Sequence, residues 1–210
     1  MSPEAKRDIL FLVADNGIKH VLKGFLGREP QRRLGCGKFG IDPDLEIRVE
    51  PTKDPGVFGK AHELLRPYAR THQRAVVILD ADWDGSPGAA AIREHVSQRL
   101  AAGWKQFAVI VIEPELETWL MNDKSAHLVK IFKCPENYRQ VLASAGYWPK
   151  GTAKPPRPKE ALGYLRRHHK VKAFNAEFGK LAEAMSVLQC QDTAFIQLRD
   201  QLRAWFPEQP

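Results

Sequence analysis

The chain has 210 residues, of which 43% are hydrophobic and 27% are charged, a composition typical of a globular protein with one substantial core. It contains no apolar stretch near the roughly 20 residues of a membrane-spanning helix, and its N-terminal apolar run is too short for a signal peptide. Its 3 cysteines are scattered without CxxC spacing, which argues against a disulfide framework and a zinc site. We therefore expect a cytoplasmic protein with no membrane partner.

Residues 1–123 alternate between apolar segments, typical of buried strands, and segments with helical periodicity. The predicted strands are 8–14, 44–50, 74–80 and 107–113, and the predicted helices are 16–27, 56–69 and 88–103. We expect Asn16 to cap the first helix and a further helix to open at Pro114 and run to residue 121. Apolar strands separated by helices predict an α/β fold with a small, mostly parallel sheet and flanking helices.

Residues 124–210 are predicted to form a basic, mainly helical region that packs on the α/β domain of residues 1–123. The net charge of +7 is concentrated here, with 15 Lys/Arg against 7 Asp/Glu, compared with 17 against 18 in residues 1–123. A clustered positive charge is typical of proteins that bind a polyanion. We therefore expect a nucleic-acid partner, and a solvated basic surface is the alternative interpretation.

The strongest part of this charge lies in residues 124–172, which include a Pro-rich loop over 147–159 and a predicted helix through "KEALGYLRRHHK". Loop cations and cations near a helix end are free to reach phosphates. The candidate nucleic-acid-binding residues are Lys150, Lys154, Arg157, Lys159, Arg166 and Arg167. Aromatic residues interleave with them, as suits single-stranded nucleic acid, although packing between helices would also explain these rings: Tyr138, Tyr147, Trp148 and Tyr164.

Acidic residues follow the predicted apolar strands. Because the carboxyl ends of parallel strands meet at one edge of a sheet, we expect these side chains to lie close together. Carboxylates suit Mg²⁺ or Mn²⁺, which bind through one or two of them plus waters. The predicted metal ligands are Asp80, Asp82, Glu113 and Glu117, and the predicted catalytic residues are Asp15, Asp80, Asp82 and Glu117.

Capping and turn formation are the alternative roles for these acids. Acidic residues are favoured at helix N-termini, and Glu113 and Glu115 flank Pro114 at such a position. If the helix runs through this stretch, Glu113 and Glu117 lie on one face of it, because they are four residues apart.

A family resemblance rests on four stretches: "ILFLVADNGIKHVLKGFL", "DPGVFGKAHELL", "VVILDADWDG" and "VIEPELETWL". Together they resemble a TOPRIM-like bacterial family of anti-phage defence loci, including an accessory protein of the methylation-associated defence system. The C-terminal "KPPRPKEALGYL" and "CQDTAFIQLRDQL" extend the likeness over most of the chain. In TOPRIM proteins a glutamate after the first strand and an Asp-x-Asp pair hold magnesium; the pair corresponds to Asp80 and Asp82, and Asp15 is the only acid near the glutamate position.

The resemblance implies a defence component that cleaves phosphodiester bonds in nucleic acid with the help of Mg²⁺ or Mn²⁺. It also implies other defence proteins as partners, and a homodimer is a further arrangement that the sequence leaves open. The departure at the first strand supports the alternative, a non-catalytic scaffold or nucleic-acid-binding subunit. A small-molecule phosphotransferase is disfavoured because no phosphate-binding Gly-rich motif is present.

Overall fold

The computed structural model describes residues 6–27, 33–121, 126–187 and 190–208. Its sheet has four strands, all parallel, in the order β2–β1–β3–β4. The strands are β1 (Arg7–Val13), β2 (Ile47–Val49), β3 (His72–Asp80) and β4 (Phe107–Ile112). The predicted α/β class, a parallel sheet with flanking helices followed by a helical C-terminal part, is confirmed.

Helices connect the strands and form the C-terminal part of the chain. In the α/β part they are α1 (Asn16–Leu26), α2 (Pro43–Glu46), α3 (Lys53–Leu65), α4 (Ala89–Leu100) and α5 (Glu117–Leu120), with a 3₁₀ helix over Arg66–Arg70. After residue 125 they are a π-helical turn at Leu128–Phe132, α6 (Tyr138–Ser144), α7 (Pro158–His169), α8 (Asn175–Ala184) and α9 (Thr193–Trp205). No helix in these described ranges is both long and apolar enough to cross a membrane.

The predicted cap of the first helix was wrong by one residue. Asp15, not Asn16, is the N-cap of α1, and its Oδ1 accepts a hydrogen bond from the backbone N–H of Ile18 at 2.8 Å. An Asp side chain at this position satisfies one of the free N–H groups of the first turn. The helix therefore holds the carboxylate of Asp15 at the carboxyl end of β1.

The helix predicted from Pro114 to residue 121 forms only in part, and its expected start was wrong. The peptide bond between Glu113 and Pro114 is cis, and α5 is a single turn that begins only at Glu117. The carbonyl oxygen of Pro114 instead accepts hydrogen bonds from the N–H groups of Ala81 at 3.2 Å and Asp82 at 3.1 Å. These bonds connect the chain after β4 to the chain after β3, and they exclude Glu113 from the helix that contains Glu117.

The core continues from the sheet into the C-terminal helices. Residues of β1, β3 and β4 are almost all buried and belong to one hydrophobic cluster with residues of α7, α8 and α9. Helix α8 packs on α1, and α9 packs against β4. The boundary expected at residue 123 falls in 122–125, outside the described residues.

Trp119 connects the two parts of the chain and explains the distinctive "EPELETW" stretch. Its ring is buried against Phe25 and Phe195, and its indole N–H donates to Oδ1 of Asp192 at 2.8 Å. The same oxygen of Asp192 accepts hydrogen bonds from the first turn of α9, from the N–H groups of Ala194 and Phe195. One side chain therefore caps α9 and fixes it to the segment that carries Glu117.

The packing of α8 on α1 depends on Gly24. A Cβ atom on Gly24 would overlap the backbone oxygen of Gly179 and lie 2.8 Å from Cβ of Ala182. We expect Gly24→Ala to lower the free energy of unfolding by roughly 1–3 kcal/mol, the usual cost of overpacking. Gly59→Ala is the matched control, because Gly59 lies inside α3 with nothing within 4 Å of the added methyl group.

The control should gain up to about 1 kcal/mol from helix propensity. Denaturant unfolding of both variants measures the difference. Equal effects of the two substitutions would contradict the close contact between α1 and α8.

Candidate functional site

The acids after the strands meet at the carboxyl edge of the sheet. Asp80 is the last residue of β3, and Asp15 follows the neighbouring strand β1. These two strands flank the point where the strand order reverses direction, since β2 lies on one side of β1 and β3 on the other. Crevices at such points are the usual ligand sites of parallel α/β sheets.

Asp80 is a buried carboxylate with no compensating partner on one oxygen. Its residue is only 5% exposed, and Oδ1 has no hydrogen-bond partner. Its backbone N–H donates to Oδ1 of Asp54, at 2.8 Å, so that a second acid lies directly beside it. Buried polar atoms are nearly always hydrogen-bonded in proteins, so a carboxylate oxygen without a partner calls for an explanation, of which a bound ion is one.

The side chain of Asp80 faces a cavity of about 490 Å³ between the sheet edge and helices α7 and α8. The titratable and charged side chains that line it are Asp15, His20, Asp80, Glu117, Lys159 and Arg166. The remaining lining residues are small or apolar, apart from Asn175: Gly17, Leu116, Ala173, Phe174, Ala176 and Phe178. The cavity thus combines acids from the sheet edge with cations from the C-terminal helices.

Burial and mutual repulsion raise the pKa values of these acids. The pKa of Asp80 lies well above its usual range, chiefly because burial disfavours the charged form and next because Asp54 repels it. Burial also raises the pKa of Asp54, and it raises that of Glu117 to about 7. Negative charge in this cavity is therefore unfavourable unless a cation balances it.

Lys159 is one of the two cations, with Arg166, that the described residues supply to this cavity. Its Nζ lies 3.3 Å from Oε2 of the buried Glu115, and its backbone N–H donates to Oε1 of the same residue at 3.0 Å. Burial lowers the pKa of Lys159, but Glu117, Glu115 and Asp80 raise it by more, so that the net shift is upward. Lys159 is thus charged beside the acids, yet it leaves Oδ1 of Asp80 without a partner.

The donor set fits a hydrated divalent cation better than a fully protein-ligated one. Among the described residues, no group of three or more His, Cys, Asp or Glu side chains is arranged to hold a metal ion. Mg²⁺ commonly binds through only one or two carboxylates and keeps several waters. The partnerless oxygen of Asp80, with Glu117 and Asp15 on the same cavity, meets that requirement.

The structure separates the predicted acids into two groups. Asp15, Asp80 and Glu117 line the cavity together. Asp82 and Glu113 are exposed and do not line it. Asp82 continues the chain beyond β3 after Ala81, where its backbone is held by Pro114 and its side chain is left in solvent.

Sequence analysis missed Asp54, which lies in the first turn of α3 and accepts the backbone N–H of Asp80. A signal was present, because Asp54 follows the predicted strand over 44–50 just as the other acids follow theirs. Glu50, directly after β2, is also buried, and its carboxylate accepts hydrogen bonds from the hydroxyl of Thr52 at 2.9 and 3.0 Å. Every strand of this sheet is thus followed by an acid.

The predicted nucleic-acid-binding residues also fall into distinct positions. Lys159 and Arg166 line the cavity, whereas Lys150 and Arg167 are exposed outside it. The other two form ion pairs, Lys154 with Asp192 at 3.8 Å and Arg157 with Glu160 at 3.4 Å.

Most of the aromatic residues selected in the basic region are buried or partly buried in the hydrophobic core. Trp148 is fully buried and Tyr138 is 5% exposed, so packing accounts for both rings. Tyr147 and Tyr164 are partly buried and pack against each other at a tilt, with ring centroids 5.1 Å apart. The exposed aromatic residue at the cavity is instead Phe174, which sequence analysis did not select.

Comparisons with known proteins give a likeness of fold. No protein-family model matches the chain, and no curated protein matches it. Among solved structures, the C-terminal region of the Burkholderia pseudomallei OLD protein is similar, with a TM-score of 0.54 and 15% sequence identity. The match covers 96% of this chain and 98% of that one, so the shared fold includes both the sheet and the C-terminal helices.

Proposed function

We propose that this chain is a metal-dependent nuclease of a TOPRIM-like bacterial anti-phage defence family and cleaves phosphodiester bonds in nucleic acid. The observation that carries the proposal is the buried, partnerless carboxylate oxygen of Asp80 in a cavity that also contains Lys159 and Arg166. The fold shared with the C-terminal region of the OLD protein supports it. From the resemblance to the methylation-associated defence system, the proposal includes action in the cytoplasm together with other defence proteins.

Asp80 and Glu117 would hold Mg²⁺ or Mn²⁺, with Asp15 beside them. When bound, such an ion stabilises the charge that develops on a phosphoryl group and activates water as a nucleophile. Burial excludes bulk water around the carboxylate of Asp80, which strengthens its attraction for a cation. The hydrogen bond by which Asp15 caps α1 holds the carboxylate of Asp15 in place at the cavity.

Lys159 and Arg166 would bind the substrate phosphates. Both line the same cavity as Asp80, so a phosphate there meets a cation of the chain on the side away from the sheet. The ion pair with Glu115 orients Lys159 towards the acids. Arg166 is exposed near the C-terminal end of α7, where its guanidinium group is accessible to a nucleic-acid backbone.

The second candidate function is a non-catalytic subunit that binds nucleic acid or docks on other defence proteins. One observation favours it: the described residues hold no ready-made set of three metal ligands, and two of the predicted ligands, Asp82 and Glu113, are exposed. In this case the acids serve the fold, as Asp15 does in capping α1.

The test is cleavage of supercoiled plasmid, linear duplex DNA, single-stranded DNA and RNA by the purified chain. Each substrate is incubated with Mg²⁺, with Mn²⁺ and with a chelator. We expect cleavage of at least one substrate with either metal and none with the chelator. The activity must follow the protein peak through size-exclusion chromatography, which controls for a contaminating nuclease.

Absence of cleavage in every condition, together with no rise in melting temperature on adding Mg²⁺ or Mn²⁺, would support the non-catalytic subunit. A ligand that binds only the native state must raise the melting temperature. The two measurements together therefore separate the candidate functions.

A further inference from the structure

Phe174 is the most exposed of the large hydrophobic residues in the described parts of the chain. It is 54% exposed, compared with 45% for Leu45 and 37% for Leu64. A single exposed apolar side chain is ordinary, and exposure alone would need no explanation. The position of Phe174 is what distinguishes it from the other two.

Phe174 lies on the rim of the acidic cavity. It lines that cavity and also a neighbouring hollow formed with Gly163, Arg167 and Val171. Arg166 lines both hollows as well, and its guanidinium carbon lies over the ring of Phe174, 4.5 Å from the centroid. The aromatic ring and the cation stacked on it thus form one exposed pair between the two hollows, here called the Phe174–Arg166 shelf.

The fold does not require this ring. Phe174 is the N-cap residue of α8, but its contribution to the cap is made by the backbone, whose carbonyl oxygen accepts the N–H of Phe178 at 2.9 Å. The side chain forms no cap hydrogen bond, and it stays in solvent. A polar residue would serve the same backbone role at a lower solvation cost, because Ser, Thr, Asp and Asn are the preferred caps.

We propose that the Phe174–Arg166 shelf stacks an unpaired nucleobase next to the phosphate held in the acidic cavity, so that the substrate is single-stranded or locally unpaired nucleic acid. This inference rests on the proposed function and names its substrate class. Stacking on an aromatic ring needs an exposed base face, which a base inside a duplex does not offer. Aromatic rings combined with Arg and a basic groove are the usual means of binding single strands without sequence preference.

The charges around the shelf agree with a polyanion that passes over it. Arg167, Lys170 and Lys172 are exposed on the chain between Arg166 and Phe174. Lys159 lies on the other side, within the acidic cavity. A strand whose phosphates contact these cations would bring its bases to the shelf.

The test measures binding separately from cleavage. Fluorescence anisotropy in chelator, where metal-dependent cleavage is absent, gives the affinity for a labelled single-stranded DNA oligonucleotide. The same oligonucleotide with abasic sites at every position retains the phosphates but offers no base to stack. Four proteins are compared: wild type, Phe174→Ala, Phe174→Trp and, as an exposed hydrophobic residue at the opposite edge of the sheet, Leu45→Ala.

We expect Phe174→Ala to weaken binding of the normal oligonucleotide roughly 5- to 150-fold, the range that corresponds to losing one stacked base. Binding of the abasic oligonucleotide should be unchanged, Phe174→Trp should retain wild-type affinity, and Leu45→Ala should have no effect. Melting temperatures show whether each variant is folded. If Phe174→Ala does not fold, the wild type and Phe174→Trp are still compared on the normal and abasic oligonucleotides.

Two results would overturn the inference. One is equal affinity of the wild type for the normal and abasic oligonucleotides. The other is that Phe174→Ala weakens the binding of both oligonucleotides by the same factor. Metal-dependent cleavage accompanied by either result would leave the nuclease proposal standing and remove only the shelf. Base-dependent binding without cleavage under any condition would support the shelf and contradict the nuclease proposal.

Discussion

Asp80→Asn is expected to abolish metal-dependent cleavage and, in the metal-free protein, to raise the melting temperature. Cleavage should fall by roughly 10²- to 10⁴-fold, because a metal ion contributes several kcal/mol of charge stabilisation and Asn is a poor ligand for it. Where Asp80 is ionised, stability should rise because Asn carries no charge, whereas burial first, and then repulsion by Asp54 and Glu117, disfavours the charged carboxylate and raises its pKa. The gain should be about 1–2 kcal/mol, or roughly 2–8 °C in melting temperature.

The matched control is Asp84→Asn. Asp84 is four residues beyond Asp80 in the turn after β3, and its side chain is exposed. This substitution should change neither cleavage nor the melting temperature in chelator. Thermal unfolding with and without Mn²⁺ gives the complementary readout: the metal should raise the melting temperature of wild type and Asp84→Asn but not of Asp80→Asn.

A lower melting temperature for metal-free Asp80→Asn would contradict the stability prediction. It would mean that the carboxylate has a stabilising partner in solution. Retained cleavage in Asp80→Asn would move the metal site elsewhere on the sheet edge.

Glu117→Gln is expected to change how the stability of the metal-free protein depends on pH. The pKa of Glu117 is raised to about 7 in the folded protein, above the usual value of 4.5, chiefly by burial. A carboxyl group whose pKa is higher in the folded state stabilises the fold while it is protonated. That contribution is fully present below pH 4.5 and is lost as the pH rises through about 7.

Wild type should therefore lose stability relative to Glu117→Gln between pH 5 and pH 8 in the presence of chelator. The expected difference is on the order of 2 kcal/mol, or roughly 4–8 °C. Thermal unfolding across this pH range measures it, and Glu113→Gln is the control because Glu113 is exposed on the same segment. Parallel pH profiles of wild type and Glu117→Gln would show that the environment of Glu117 does not perturb its ionisation.

The strand pattern was readable from the sequence because buried parallel strands require continuous apolar runs. The segments 8–14, 74–80 and 107–113 all became strands with bounds within two residues of those expected. The segment 44–50 was less regular, since Pro43 and the cap formed by Asp42 turn its first half into helix α2 and leave only Ile47–Val49 as a strand. Local signals thus predicted the strands well where burial was complete.

The positions of individual side chains depended on contacts between distant segments. Spacing suggested that Asp80 and Asp82 share one ion and that Glu113 and Glu117 share one helix face. The hydrogen bonds from Ala81 and Asp82 to Pro114 place Asp82 in solvent, and Glu113 lies before the helix that contains Glu117. Neither arrangement can be inferred from spacing, because both result from two strand ends meeting.

The sequence by itself determined the parallel α/β sheet, the row of acids at its carboxyl edge and the basic character of the C-terminal helices. These features follow from local composition and from the rule that parallel strands end on the same side. Only the tertiary structure decided that Asp54 lies against Asp80, that Lys159 and Arg166 face the acids, and that Phe174 stands exposed beside them. The physical reason is that burial and repulsion act between side chains that are close in space. Asp54 and Asp80 are 26 residues apart in the sequence, and local sequence patterns do not indicate which such distant residues meet.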